Sequence, residues 1–169
     1  QISGKIYADN IIFVAFDCKE MSRAGSEDLW HLIKSRQLSD PVTGRTITEK
    51  DIRMMVNIDQ SGSTLSPLHS DRKDYLIMLG SDSLPKIHRS TSTICNRMFA
   101  LYLDLGFSYY GSKNFTDLFY RLSDQNIFIQ NKIPAILFTS GITMNNNKTY
   151  DNVESLDIEV FQKRIFLIY

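Results

Sequence analysis

The chain has 169 residues, 43% of them apolar and 22% charged, and its 19 basic residues balance its 19 acidic residues. This length and composition are typical of a single globular domain, so we expect residues 1–169 to share one core. A net charge of zero gives no field that would attract nucleic acid or an anionic membrane, and neither is an expected partner. The longest apolar run, IIFVAF, is far shorter than the roughly 20 residues of a membrane span, and the N-terminus does not resemble a signal peptide.

Short β-branched runs alternate with helical periodicities, which predicts an α/β sandwich. Strands are predicted at residues 10–16, 52–58, 75–79 and 133–141, with a short one at 107–110. Helices are predicted at residues 26–36, 86–105, 123–132 and 157–168. The predicted N-caps are Ser26, Ser123 and Asp157, and Gly106 is predicted to follow the end of the long second helix. The last helix is predicted to have one apolar side, formed by Ile158, Phe161, Ile165 and Ile168.

Polar residues follow three of the predicted strands. Glu20 comes after the first strand, Asp59 after the second, and residues 141–151 after the last long one. In open α/β sheets, ligands bind beyond the carboxyl ends of the strands. The sequence therefore predicts that these polar residues lie at a binding edge.

The cysteines and histidines form no recognisable catalytic or metal motif. Cys18 and Cys95 lack CxxC spacing, and no histidine lies near Cys18 in the sequence to activate it as a nucleophile. We therefore expect both cysteines to be small buried or half-buried thiols. We interpret His31, His69 and His88 as surface or capping residues.

Four segments resemble, in the right order, the motifs of the co-catalytic zinc aminopeptidases, a family that includes bacterial leucyl aminopeptidases, aminopeptidase Y and the related glutaminyl cyclases. NIIFVAFDCKEMSRAGS resembles the turn usually written Phe-Asp-Gly-Glu-Glu-x-Gly-x-x-Gly-Ser, and DIRMMVNIDQSGS resembles a strand ending in Asn-x-Asp-x-x-Gly. SDQNIFIQNKIPAILFTSGI resembles the segment beside the substrate pocket, and NNNKTYDNVESLD resembles the Tyr-His segment before the last helix.

This resemblance implies a three-layer α/β sandwich whose mixed, mostly parallel central sheet is flanked by helices. It also implies a peptide-like ligand and an extracytoplasmic location, with any leader removed. The family's chemistry uses two zinc ions held by two histidines, a bridging aspartate, a glutamate and a further aspartate. A second glutamate serves as the general base that takes a proton from the metal-bound water.

When these roles are carried over position by position, the set of zinc ligands and the general base is incomplete in this chain. Glu20 and Asp59 align with zinc ligands, but Lys19 stands at the base position and Asn147 at the position of the late histidine. We expect the early histidine and the bridging aspartate to belong to a segment that precedes the first motif. Each zinc would then keep one ligand of the roughly three that a catalytic site needs, so no cofactor is expected in this chain. Lys19 is a cation at neutral pH and cannot accept a proton, and we expect its ammonium to lie close to Glu20 or Asp59.

Four further residues are pocket candidates. The resemblance places Ser123 and Asp124 in the segment beside the family's substrate pocket, and Tyr109 and Tyr110 could line an aromatic recognition pocket. Phe115 could belong to the same aromatic surface. For the aromatic residues the alternative is a place in the core, and for Asp124 the alternative is a first-turn helix residue.

Three functional hypotheses follow. The favoured one is a non-hydrolytic, aminopeptidase-like domain that binds a ligand or partner. The alternative is a working metal-dependent aminopeptidase whose missing ligands come from an N-terminal segment or another chain, and the third is a plain structural α/β domain. Because a strand at 10–16 would expose an apolar edge unless residues 5–8 cover it, we also expect a homodimer through that edge.

Overall fold

The computed structural model describes residues 10–63, 73–81, 84, 86–109, 111–141 and 148–169, with the backbone only at 86–88. Its strands are β1 Met55–Ile58, β2 Tyr75–Leu79, β3 Asp104–Gly106 and β4 Ala135–Thr139. Its helices are α1 Ala24–Lys34, α2 Lys86–Met98, α3 Lys113–Leu122, α4 Asn126–Gln130 and α5 Ile158–Ile168. In the described part of the chain, short 3-10 turns occur at Glu49–Asp51 and Val153–Ser155. Within the described residues, no helix is long and apolar enough to cross a membrane.

The four strands form one mixed sheet in the order β1-β4-β2-β3. β1 is parallel to β4 and β2 is parallel to β3, whereas β2 and β4 are antiparallel. This arrangement confirms the predicted α/β class with a mixed, mostly parallel sheet. It also brings the carboxyl ends of β1 and β4 to the same edge.

The two central strands, β2 and β4, are apolar on both sides because helices cover both faces of the sheet. On one face, Leu76 and Met78 of β2 pack with Val160 of α5. On the other face, Ile77 and Leu79 pack with residues of α3. The continuous apolar runs that predicted these strands are thus explained by burial on both sides.

A third cluster joins α1 to α4 beside β1. Trp30 of α1 meets Phe128 of α4 edge to face, with ring centroids 5.5 Å apart. Ile33 and Ile127 complete the buried part of the cluster, and Phe16 packs against it from the preceding segment. The contact of Phe16 holds the residues just before the Lys19 turn against the rest of the domain.

The prediction of a strand at residues 10–16 is wrong. The segment pairs with no described strand, and its apolar side chains are exposed, with Ile11 at 68% and Phe13 at 83%. Apolar character alone does not make a strand, because the backbone N–H and C=O groups must find a neighbouring strand. The homodimer was expected because this strand would expose an apolar edge, and without the strand that reason no longer holds. Glu20 likewise does not follow the end of a strand.

The second helix ends earlier than predicted, at Met98 rather than near residue 105. Leu101 N–H donates to Asn96 O (3.0 Å) and Ala100 N–H donates to Arg97 O (3.1 Å), which is the Schellman pattern of a helix end. Ala100 is the left-handed residue of this motif, with a φ of 50°. The chain then enters β3, so Gly106 is a strand residue and not the helix terminator.

Other boundaries also differ from the sequence prediction. Helix α3 was not predicted, although Ser112 caps it by accepting from Phe115 N–H (3.4 Å). Residues 107–109, the described part of the short strand predicted at 107–110, do not form a strand. Ser26 lies inside the first turn of α1 and does not cap it. Ser123 ends α3 and does not begin α4, whose N-cap is Gln125.

The last helix begins where the sequence predicts it. The Asp157 side chain accepts a hydrogen bond from Val160 N–H (3.2 Å) and caps α5. The predicted apolar side is only partly buried, however. Ile168 packs against the core, but Ile158 and Ile165 are exposed at 59% and 40%, and the buried residues of the helix are Val160 and Arg164. The reason is that the buried face of α5 contains a charged residue, which the apolar periodicity does not count.

Arg164 is completely buried, and its guanidinium donates to four backbone carbonyls. One terminal nitrogen contacts Ser61 O and Ser63 O at 2.7 and 2.8 Å, and the other contacts Lys73 O and Tyr75 O at 3.1 and 2.9 Å. Burial lowers the pKa of Arg164 to about 10, against the opposing charges of Asp157 and Asp74. The side chain therefore ties α5 to the chain leaving β1 and to the chain entering β2.

We predict that Arg164→Met lowers the free energy of unfolding by about 3–5 kcal/mol, because buried carbonyls would lose their charged donor. Urea unfolding followed by circular dichroism measures the change. Gln162→Met is the matched control, since Gln162 lies on the exposed side of the same helix. A loss of less than about 1 kcal/mol in the Arg164 variant would contradict the role assigned to the guanidinium.

We also predict that Ala100→Gly stabilises the protein by about 0.5–1 kcal/mol. Glycine removes the cost of a left-handed alanine, about 1–2 kcal/mol, and adds a smaller cost in chain entropy. Ala24→Gly, at an exposed position in the first turn of α1, should have the opposite effect. Thermal melts of both variants test this, and destabilisation by Ala100→Gly would rule out the proposed helix end.

Candidate functional site

The candidate site lies beyond the carboxyl ends of the parallel strands β1 and β4. Asp59 follows β1 directly, and its N–H donates to Phe138 O of β4 at 3.0 Å. Ser140 follows β4, and its N–H donates to Gln60 O at 2.8 Å. These bonds extend the strand pairing past both strand ends and hold the Asp59 carboxylate at the edge that sequence analysis predicted.

A buried polar network connects β1 to the link between α3 and α4. The Asn57 side-chain amide donates to Ser123 Oγ at 2.9 Å and to Gln125 Oε1 at 2.7 Å. Ser123 Oγ in turn donates to Asp59 Oδ2 at 2.7 Å. Gln125 is fully buried, and its amide nitrogen donates to Tyr120 O. The network fixes the direction of the Asp59 carboxylate by side chains from two parts of the fold.

Lys19 forms an ion pair with Asp59 across 40 positions of the sequence. Its ammonium contacts Asp59 Oδ2, the same oxygen that accepts from Ser123. The Lys19 and Asp59 side chains are 35% and 23% exposed, so the pair is partly shielded from water. The expected contact between Lys19 and a ligand-type carboxylate is present, and Asp59 provides it.

Lys19 lies in a turn that contains residues with positive φ angles. Met21 N–H donates to Cys18 O at 3.0 Å, and Arg23 N–H donates to Lys19 O at 2.9 Å. Cys18 and Ser22 have φ values of 53° and 59°, in the left-handed region that favours glycine. The resembled motif has glycine at both of these positions, and its third glycine aligns with Gly25. The turn therefore has the backbone conformation that those glycines would permit.

The turn also packs closely against α1. A side chain at Gly25 would place its Cβ 2.8 Å from Asp17 O, closer than such contacts normally occur. Glycine at this position therefore allows the segment before Lys19 to contact the start of the helix.

The other predicted ligands add no described metal-binding group to Asp59. Glu20 is exposed and forms no ion pair with the described part of the chain. Asn147 lies outside the described residues, as do Tyr110 and His69. Among the residues that are described, no three of the types His, Cys, Asp and Glu are grouped so as to hold a metal ion.

The predicted pocket residues fall in different surroundings. Ser123 belongs to the polar network with Asp59. Asp124 is 6% exposed, and its Oδ1 accepts no hydrogen bond within the described structure. Tyr109 is 2% exposed and stacks on Phe119 with ring centroids 4.2 Å apart, so it lies in the core beside the sheet. Phe115 is 52% exposed on α3.

Neither cysteine side chain forms a hydrogen bond with the network among the described residues. The expectation of a buried or half-buried thiol is wrong for Cys18, which is exposed, whereas Cys95 is half-buried as expected, and both are free thiols. His31 is exposed on α1, and the side chain of His88 lies outside the described residues.

Sequence analysis missed Asn57 and Gln125. An asparagine inside an otherwise apolar strand is a usable signal, because a buried polar side chain needs hydrogen-bond partners. Asn57 is 8% exposed and has two such partners. The identity of those partners, 66 and 68 positions away, depends on the fold.

The fold is similar to that of solved structures that include two of LapA from Legionella pneumophila, one of them described as an aminopeptidase. One has a TM-score of 0.62 and 11% sequence identity, and the match covers 90% of this chain and 36% of that chain. The other has a TM-score of 0.61 and 12% identity, with the same coverage. No protein-family model and no curated protein matches the sequence. The chain thus has an aminopeptidase-like fold and spans about a third of the length of LapA.

Proposed function

We propose that this chain is an aminopeptidase-like domain that does not hydrolyse peptides and instead binds a ligand or a partner protein. The observation that carries the proposal is the ion pair between Lys19 and Asp59. In the family that the sequence resembles, these positions hold the general base and a zinc ligand. Here a cationic side chain lies against the carboxylate where the resemblance would put a metal ion.

Electrostatics support a site without zinc. A divalent ion about 4 Å from a unit charge interacts with it by about 8 kcal/mol at an effective dielectric constant of 20. The attraction of a zinc ion to the Asp59 carboxylate and its repulsion by the Lys19 ammonium are therefore of similar size, and the two energies cancel. The described donor set does not fit a two-zinc centre, and the Lys19 ammonium has no lone pair with which to accept a proton.

A peptide-like ligand is supported by the unsatisfied carboxylate next to the network. Asp124 Oδ1 is buried and accepts no hydrogen bond within the described residues. A buried acceptor of this kind is costly unless a donor reaches it. An amine or amide N–H of a ligand would supply that donor, next to Ser123 and the strand-end edge.

The alternative is a metal-dependent aminopeptidase whose other ligands come from an additional segment or from another chain. The observation that favours it is the coverage, because the match to LapA includes only 36% of that chain. In this alternative, zinc binding would have to displace Lys19 from Asp59.

We predict that the purified chain contains no stoichiometric zinc and does not hydrolyse aminoacyl-p-nitroanilides. The reason is that the described residues offer few zinc ligands and that the Asp59 carboxylate already forms an ion pair with Lys19. Plasma emission spectrometry and a nitroaniline release assay, each with and without added zinc, measure the two properties. About two zinc ions per chain, lost in both Glu20→Ala and Asp59→Ala variants, would overturn the proposal in favour of the enzyme.

We predict that Lys19→Glu lowers the free energy of unfolding by about 1–2 kcal/mol in metal-free buffer, since two partly shielded carboxylates would then repel each other. Lys19→Met should cost less, because it removes the attraction without adding repulsion. Lys132→Glu is the matched control for the charge change, at an exposed position far along the sequence. An unchanged or higher melting temperature for Lys19→Glu would show that the ion pair does not stabilise this edge.

A further inference from the structure

A cavity of about 380 Å³ lies between α3 and α4. One wall is formed by residues of α3 and the other by residues of α4, namely Asp117, Tyr120 and Arg121, and Asn126, Ile129 and Gln130. Ligand pockets in proteins usually measure about 300–1,000 Å³, so this cavity is at the small end of the range. It therefore suits a small molecule better than a stretch of peptide.

The α4 wall contains a buried amide without a hydrogen-bond partner. Asn126 is 8% exposed, and its backbone N–H donates to Ser123 O at 3.0 Å. Its side-chain amide, however, bonds to no residue that the structure describes. Such a group has two donor hydrogens and an acceptor oxygen, and buried polar groups are almost always paired. Gln130, one turn further along α4, adds a second amide, so this wall offers donors and acceptors to a polar, uncharged group.

The α3 wall carries one charge of each sign. Asp117 and Arg121 are four positions apart, a spacing at which acidic and basic side chains of a helix commonly pair. In the described part of the chain neither forms an ion pair, with the other or with a third residue. A molecule with both an ammonium and a carboxylate can therefore contact both charges. A simple anion or cation would instead face one group of its own sign.

We propose that this cavity binds a free α-amino acid with a polar, uncharged side chain. Its ammonium would meet Asp117, and its carboxylate would meet Arg121, whose guanidinium can donate two parallel N–H bonds. Its side chain would reach the Asn126 amide and pack along Ile129. The first residue of a peptide fits less well, because its carboxyl group is part of an amide bond. The proposal does not rest on the function proposed for the strand-end edge.

L-Asparagine is the probe, and L-leucine is the matched comparison, because its side chain has nearly the same shape without polar atoms. Isothermal titration calorimetry on the purified chain should give a Kd below about 1 mM for L-asparagine and at least about tenfold weaker binding of L-leucine, since a buried amide is left unpaired by an apolar side chain. N-Acetyl-L-asparagine and L-asparaginamide each lack one of the two charges and should also bind at least about tenfold more weakly than L-asparagine.

Variants of both walls test the assignment of each group. Asp117→Asn and Arg121→Gln should each weaken the binding of L-asparagine at least about tenfold. Asn126→Leu should reduce the preference for L-asparagine over L-leucine to less than about threefold. Asp28→Asn and Arg36→Gln remove exposed charges on or just after α1, and as matched controls they should change the affinity less than about twofold.

Several results would overturn the proposal. They are the absence of L-asparagine binding up to about 10 mM, equal affinity for L-leucine, and full affinity in both charge variants. Lys19→Met should keep the wild-type affinity, and a loss in this variant would place the amino acid at the strand-end edge instead. Circular dichroism checks that each variant is folded. Gln130→Leu, at an exposed position, replaces Asn126→Leu if that variant is not folded, with the same expected loss of preference.

Discussion

The fold depends on one buried charge, the Arg164 guanidinium, which forms no ion pair with a carboxylate among the residues that the structure describes. Arg164 crosses from α5 to the backbone on either side of the connection between β1 and β2, where four carbonyls accept its protons. Taking a guanidinium out of water is expensive, and the four carbonyl acceptors of its terminal nitrogens offset much of that cost, although Nε has no hydrogen-bond partner among the described residues. The guanidinium therefore holds the last helix, the exit of β1 and the entry of β2 in one arrangement. Asp59 lies two residues before the first of these carbonyls, so the same constraint supports the candidate site.

The candidate site is formed by segments that are distant in the sequence and are held together by hydrogen bonds and an ion pair. The turn at Lys19, the end of β1 and the link between α3 and α4 meet at the Asp59 carboxylate. Asn57 and Gln125 add hydrogen bonds beneath it, so the carboxylate cannot turn toward a new ligand without breaking buried contacts. A site held in this way favours one cation geometry, and in this chain the side chain of Lys19 provides the cation.

The chemistry of the proposed binding edge differs from that of the sheet faces. The strand-end edge is small, polar and partly buried, which suits the end of a peptide-like ligand. Both faces of the sheet are covered by helices through apolar contacts. Because the polar network lies at the strand ends, the Lys19 variants test the binding edge without changing the core.

The sequence by itself determined the α/β class, the central strands β2 and β4, and the capped start of the last helix. These features depend on local periodicity and on near-neighbour hydrogen bonds, such as the one between Asp157 and Val160. The sequence motifs also predicted that Lys19 lies beside a strand-end carboxylate. Tertiary structure decided the rest: whether the apolar run at 10–16 finds a strand to pair with, where α2 ends, and which side of α5 is buried. It also decided the partners of Asn57 and the burial of Arg164, because a polar side chain's acceptors come from distant segments that no local pattern specifies.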